Sequence, residues 1–318
     1  MIFAYTLQDG RLALQAQGAD MADALWIDMF RPTDEQLEQV RALGFDIPSK
    51  AEMRGLKPSN RMHLTAGIDY MTVVMPGRDV QGHPTNGPVS FMLGTEQLVT
   101  VRHHAVRAFK TFPGVADQTA IGCSDARCLL LGLLGENIGG LADMMERIGD
   151  RLDELALWIF DDDRKSDAEL EETLKRTGRM SELIGKIRLA LLNLDRLLGH
   201  LEPILMKHED AAHLKPMLPS LERDVSALAV HCDYLTGRVG FATEATMGMI
   251  DLGQNRAVSV MSAVTSLFIP PTLIASIYGM NFIDMPELQD AWGYEITLLG
   301  MVASSVLTYF LMRWQRWL

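Results

Sequence analysis

Residues 257–283 read AVSVMSAVTSLFIPPTLIASIYGMNFI, 27 positions without one Asp, Glu, Lys or Arg. Residues 296–312, ITLLGMVASSVLTYFLM, add 17 more. A helix needs about 20 apolar residues to cross a hydrocarbon layer roughly 30 Å thick, so both segments qualify, the second only just. Arg256 precedes the first span and Arg313 and Arg316 follow the second. The stretch between holds Asp284, Glu287, Asp290 and Glu295 and no base, so the positive-inside rule puts both termini in the cytoplasm. Trp292, Tyr294, Trp314 and Trp317 stand where interfacial aromatics belong. The expected membrane domain is thus 257–318, with a first span at about 257–280, an outer loop at 281–295 and a second span at about 296–313.

The remaining chain is cytosolic in character. With 29 basic and 41 acidic residues among 318, the net charge is −12, and 48 % of residues are hydrophobic. That much apolar matter excludes a disordered chain. The acidic balance argues against nucleic acid as a partner, since phosphate binding needs a basic face. Cys123, Cys128 and Cys232 form no CxxC pair, which excludes a disulfide scaffold and a thiolate zinc site. The start MIFAYTLQDG lacks the basic and apolar regions of a signal peptide.

Residues 1–120 predict a small α/β domain. Asp9-Gly10 between two apolar runs signals a hairpin, and Leu25–Asp28 is a further short apolar piece. Pro32-Thr33-Asp34 predicts a helix start capped by Thr33 or Asp34. His63–Met75 and the pair Val89–Leu93 and Gln97–Arg102 read as further strands, with Pro76, Gly77, Gly82, Pro84, Gly87 and Pro88 as the punctuation between them. Residues 121–256 predict long helices: Leu129–Phe160, then Asp167–Leu201 stopped near Pro203, then a third from Leu221 onward. No proline interrupts that third helix before Pro270, so it is expected to run from the cytosol into the membrane over about 90 Å.

One hairpin per chain cannot enclose a water path, so it is either an anchor or one part of a ring of copies. The first span carries Asn255, Ser259, Ser262, Thr265, Ser266, Thr272 and Ser276, several of them three or four apart. Such a stripe suits a pore and suits tight helix packing equally well. Tyr278-Gly279-Met280-Asn281-Phe282, followed by Met285-Pro286-Glu287-Leu288, separates the two. Together with Gln254-Asn255-Arg256 and Phe268-Ile269-Pro270-Pro271-Thr272-Leu273-Ile274-Ala275, these residues resemble the CorA family of magnesium channels, most closely its enterobacterial type. The detailed match covers residues 240–318. Trp26-Ile27-Asp28 followed by Pro32-Thr33 extends it loosely toward the start.

The resemblance implies an α+β chain, its N-terminal cytosolic α/β domain followed by a helical stalk that continues into the first of two C-terminal spans. Five copies would form a funnel-shaped homopentamer in the bacterial inner membrane. Gly279, Met280 and Asn281 would form the selectivity filter, with Asn281 meeting hydrated Mg²⁺ through its water shell. Asn255, Val258, Met261, Thr265, Ile269, Thr272 and Tyr278 would line the pore, Val258 and Met261 closing it by dewetting. Relatives usually carry a larger residue than Val258 there and a denser basic run than Arg313-Trp314-Gln315-Arg316 at the end. Uncharged oxygens suit this ion, because Mg²⁺ gives up its water reluctantly and a carboxylate ring would hold it too long. Asp284 and Glu287 would raise the local cation concentration from the outer loop.

Neither span holds an Asp, Glu or His, the side chains that relay protons within membranes, which favours potential-driven influx over proton coupling. Two charges moving through about 100 mV gain roughly 4.6 kcal/mol, enough for accumulation by about three orders of magnitude without a pump. The resemblance adds Co²⁺ and Ni²⁺ as further cargo and cytosolic Mg²⁺ as a gating ligand, with no organic cofactor. It puts the regulatory ions at acidic residues between neighbouring cytosolic domains. Glu222, Asp224 and Asp233 lie in the right region, and none of them matches a family site. No HExxH, GxSxG or P-loop occurs, so no enzymatic chemistry is expected. The alternatives are a zinc transporter of the related ZntB branch, which usually lacks MPEL, and a non-conducting membrane-anchored scaffold.

Overall fold

Asp9 and Gly10 both take positive φ, 50° and 78°, and turn strand β1 (Ile2–Gln8) back onto β2 (Arg11–Leu14). Two such residues make the type of turn that matches strand twist. The computed structural model describes residues 1–16, 18–54, 62–161, 165–206, 214–280 and 292–314. Its strands β3 (Trp26–Phe30), β4 (Met62–Thr65), β5 (Ile68–Arg78), β6 (Pro84–Leu93) and β7 (Leu98–Arg102) complete a seven-stranded sheet in the order β2-β1-β3-β7-β6-β5-β4. Among the described strands, β3 and β7 pair in parallel and every other neighbour is antiparallel.

Two strand expectations are corrected. The run His63–Met75 is a hairpin rather than one strand, broken at Ala66 and Gly67, whose φ values are 52° and 81°. Pro76, Gly77, Pro84, Gly87 and Pro88 lie inside β5 and β6, and only Gly82 sits in the turn between them. Beyond Met71, β5 has lost β4 as a partner, and before Val89, β6 has not yet met β7. Proline is tolerated where a strand pairs on one side only. The glycines make room for a ring: a Cβ on Gly87 would lie 2.5 Å from His104 Nδ1, and one on Gly77 2.6 Å from His104 Cδ2.

Helices α1 (Asp34–Arg41) and α2 (Lys50–Arg54) cover one face of the sheet. Thr33 and Gln36 form a reciprocal capping box that starts α1. Ile27, Met29, Val99 and Val101 project into this layer and pack with Val40, Phe45, Ile47 and Met53. Helices α3 (Ala108–Thr111) and α4 (Ala126–Phe160) adjoin β6 and β7. Asp125 starts α4 by accepting from the amides of Arg127 and Cys128 at 2.8 and 2.9 Å.

Helix α5 (Asp167–Met206) runs past Pro203, which was expected to stop it. Only the bond to Gly199 O is lost there, one turn from the end, where losing a donor costs little. Helix α6 (Leu218–Tyr278) is continuous over 61 residues, and α7 (Gly293–Trp314) follows. The chain divides into two units, Met1–Asp162 with Lys175–Ala242, and Asp163–Leu174 with Thr243–Leu318. The first holds the sheet and most of the core, including Leu129, Leu134, Leu191, Leu197, Cys232 and Leu235. In the second, Leu170, Thr173 and Thr246 are buried.

Among the described residues, three helices are long and apolar enough to cross a membrane: α4, α6 and α7. In α4, 61 % of the most apolar window is buried in the protein, whereas in α6 and α7 only 6 % is. The apolar surface of α4 is therefore used by the core, and that of α6 and α7 is left uncovered by the chain itself.

Candidate functional site

The polar stripe of α6 is exposed. Asn255, Val258, Met261, Thr265, Ile269 and Thr272 are all exposed and recur at intervals of three and four, so they share one face. Ala263, Ser266, Leu267, Pro270, Pro271, Ile274 and Tyr278 are half-buried and recur in the same way on the other side. Six residues beyond Thr272 is about one and two-thirds turns at 3.6 residues per turn. Tyr278 therefore lies with this half-buried stripe and apart from the other six expected pore residues.

Both threonines of the exposed face turn their hydroxyls back into the helix. Thr265 Oγ1 donates to Met261 O at 2.8 Å, and Thr272 Oγ1 donates to Phe268 O at 2.7 Å. A hydroxyl has one proton and two lone pairs, so each threonine presents outward only as an acceptor. A hydrated cation offers the complement, since its coordinated waters point their protons away from the metal. Val258 and Met261 lie toward the start of the span and provide no polar atom in their side chains.

Near its end α6 tightens. Gly279 N donates to Ala275 O at 2.9 Å, and Met280 N to Ile277 O at 3.2 Å. A Cβ on Gly279 would come within 3.1 Å of Ala275 O, so glycine suits this close turn. Asn281, Asp284 and Glu287, expected in the filter and outer loop, lie outside the described residues, as do Arg316 and Trp317. Trp292, Tyr294 and Trp314 are exposed at the two ends of α7.

On α7 the half-buried residues are Gly293, Thr297, Gly300, Met301, Ser304, Ser305 and Thr308, mostly small and again spaced by three and four. Small residues let membrane helices come close. Ser305 Oγ reaches 3.4 Å from Leu267 O, on the half-buried stripe of α6.

The acidic residues weighed for a regulatory ion are dispersed. Asp233 is paired with Arg188, and Asp153 with Arg238, bridging α5 to α6 and α4 to α6 within the first unit. Glu222 is half-buried and Asp224 exposed. Among the described residues, no group of three or more His, Cys, Asp or Glu gathers closely enough to hold a metal ion.

Sequence reasoning missed a buried polar network in the sheet domain. Trp26 Nε1 donates to Thr100 Oγ1 at 3.1 Å, and Thr100 donates to Asp28 Oδ1 at 3.0 Å. Arg102 grips the same carboxylate with Nε at 3.1 Å and Nη2 at 2.7 Å, its guanidinium stacked between Phe30 and Phe109. Burial pushes the Asp28 carboxyl up, while Arg102 and Thr100 pull it back down. The likeness noted at Trp26-Ile27-Asp28 thus falls on residues that bind β3 to β7. The alternation of these strands gives a polar inward face, a pattern that reads from sequence as a solvated one.

The comparisons with known proteins agree with this geometry. Residues 22–313 match the family model described as CorA-like Mg²⁺ transporter protein. The magnesium transport protein CorA of Salmonella typhimurium strain LT2 is 29 % identical over 321 residues, covering all of both chains. That of Escherichia coli K12 is 29 % identical over the same full length. Among solved structures, the CorA magnesium transporter of Methanocaldococcus jannaschii superposes with a TM-score of 0.69 at 17 % identity, over 100 % of this chain and 99 % of that one. Full-length CmaX superposes with 0.68 at 14 % identity, over 99 % and 97 %. Both show a common fold of sheet domain, long helices and two C-terminal apolar helices.

Proposed function

This chain belongs to the CorA family of Mg²⁺ transporters, and on that premise we propose that it acts as a homopentameric, potential-driven Mg²⁺ channel of the bacterial inner membrane. In this reading five copies of α6 surround the ion path, and both termini lie in the cytoplasm. Mg²⁺ passes with its water shell, through the ring of Gly279, Met280 and Asn281 and then along Thr272, Ile269, Thr265, Met261, Val258 and Asn255. The single observation that carries it is that the hydroxyls of Thr265 and Thr272 turn only acceptor lone pairs outward from α6. Co²⁺ and Ni²⁺, which hold six waters in similar geometry, are the further cargo. Tyr278 keeps its place beside the filter in this reading, on the flank toward α7.

Assembly of copies is supported by exposed apolar surface outside the spans. Val230, Tyr234 and Phe241 recur at helical spacing on α6 and are exposed, as are Leu157 and Phe160 of α4. A lone soluble domain rarely leaves such a series bare. The same reading makes cytosolic Mg²⁺ the gating ligand, held between subunits by carboxylates from both sides. With −12 per chain, such an ion would offset the mutual repulsion of the subunits.

Growth of a bacterium lacking Mg²⁺ uptake tests this. Restored growth in low Mg²⁺ is expected. Rescue of zinc-dependent growth instead would favour the ZntB-like alternative, and membrane insertion with rescue of neither would favour the scaffold.

A further inference from the structure

Pro270 and Pro271 lack a backbone N–H, so the carbonyls of Ser266 and Leu267 lose the donors an uninterrupted helix would give them. Both carbonyls lie in the middle of the expected first span, where no bulk water can take over. Helix α6 nevertheless continues through the pair to Tyr278. The hydroxyl of Ser305, from α7, stands 3.4 Å from Leu267 O and 3.2 Å from Met301 O. It has one proton to give. Met301 O already receives the Ser304 hydroxyl at 2.8 Å and, as part of a regular helix, the backbone N–H of residue 305. Leu267 O is the acceptor that lacks its helical donor.

We propose that Ser305 is a positioning residue for conduction: it supplies the hydrogen bond that Pro271 withholds, and so pins the proline turn of α6 to α7. That contact fixes the orientation of Thr272–Met280, the segment that carries the last pore threonine and leads into the filter. Ser304 and Thr308 on α7 and Ala263 and Ser266 on α6 are small and half-buried, and side chains of that size let helix backbones come near enough for so short a side chain to reach. The functional half of this inference rests on the channel reading. The pin itself does not.

The test is a double-mutant cycle in the full-length chain reconstituted in lipid, with Ser305→Ala, Pro271→Ala and the pair. Amide exchange over residues 272–280 and Mg²⁺ flux are both followed. Ser305→Ala alone should speed exchange by about threefold, the scale of an interhelical hydrogen bond in a membrane, and lower flux. In the Pro271→Ala background the helical donor returns, so Ser305→Ala should change neither reading. Equal effects in both backgrounds, or none in either, would overturn the proposal. Should Pro271→Ala fail to assemble, Ser305→Thr and Ser305→Val decide, since only threonine keeps the hydroxyl. Threonine should behave as the parent and valine as alanine, and indistinguishable behaviour of the two contradicts the pin. If the parent carries no Mg²⁺, the channel reading fails while the exchange cycle still judges the pin.

Discussion

Thr265 and Thr272 stand seven residues apart on one exposed face of α6, each hydroxyl donated to the carbonyl four residues before it. The arrangement fixes the polarity of these two side chains. Two protons point inward along the helix, and the lone pairs remain for a donor outside. In the proposed channel such a face would attract a hydrated divalent cation without touching the metal, and binding would stay weak enough for the ion to leave.

Thr272→Val keeps the shape of the side chain and removes the oxygen. Each copy then loses one hydrogen bond to the ion's water shell, worth about 1 kcal/mol net. Mg²⁺ flux in proteoliposomes should fall by about tenfold with the oligomer intact, and Thr272→Ser should stay close to the parent. Unchanged flux in Thr272→Val would remove this residue from the ion path.

The Asp28–Arg102 pair predicts a stability effect without a transport effect of its own. Asp28→Asn leaves a buried guanidinium without its counter-charge and should cost about 3–5 kcal/mol. Replacing both with apolar residues, Asp28→Leu with Arg102→Met, should be much milder, because no charge is then left in the core. Pulse proteolysis in urea, read on fragments of the sheet domain, measures both. If the double variant is no more stable than Asp28→Asn, the loss comes from packing rather than from the stranded charge.

His104 predicts a pH effect. Its ring is buried between Gly77 and Gly87 with Nε2 donating to Met75 O at 2.9 Å. Burial holds its pKa below the usual value of 6.5; the Met75 carbonyl opposes this, and Arg102, His103 and Arg31 add to it. Below pH 6.5 the unfolded chain therefore takes up a proton that the folded chain refuses, so stability falls as pH falls until the folded pKa is passed. Thermal unfolding followed from pH 7.5 to 5 should decline less steeply in His104→Gln than in the parent. Equal slopes would show that other groups set the acid response.

The proposed regulation by Mg²⁺ has its own signature. Protease nicking of the sheet domain should fall as Mg²⁺ on its side of the membrane rises into the millimolar range, and flux should fall with it. Monovalent salt at equal ionic strength is the control, because screening alone would weaken repulsion between acidic subunits. Protection by salt as complete as by Mg²⁺ would contradict a bound gating ion.

Much of this architecture was legible in the sequence, for physical reasons that differ from element to element. Asp9-Gly10 announces its turn because both residues accept positive φ readily, and α6 and α7 announce themselves by uninterrupted apolar length. The hairpin at Ala66-Gly67 was hidden because alanine seldom takes a φ of 52°. Pro76, Gly77, Gly87 and Pro88 read as loop residues; their place in strands depends on a histidine ring from another part of the chain and on strands that pair on one side only. Asp28 and Arg102 are 74 residues apart, and nothing in either neighbourhood marks them as partners. On α6, the stripe of small polar residues was visible, but a pore and tight helix packing would both use it. That Ser266 is half-buried with Ala263, Leu267, Ile274 and Tyr278, while Thr265 and Thr272 are exposed, emerged only with the structure.

The most direct test of the account is Mg²⁺ influx into proteoliposomes of the purified chain, with membrane potential and pH gradient imposed independently. The account predicts influx that grows with inside-negative potential, is indifferent to the pH gradient at fixed potential, and is abolished by Asn281→Ala with assembly unchanged. Influx that requires a proton gradient, or that persists in Asn281→Ala, would contradict it.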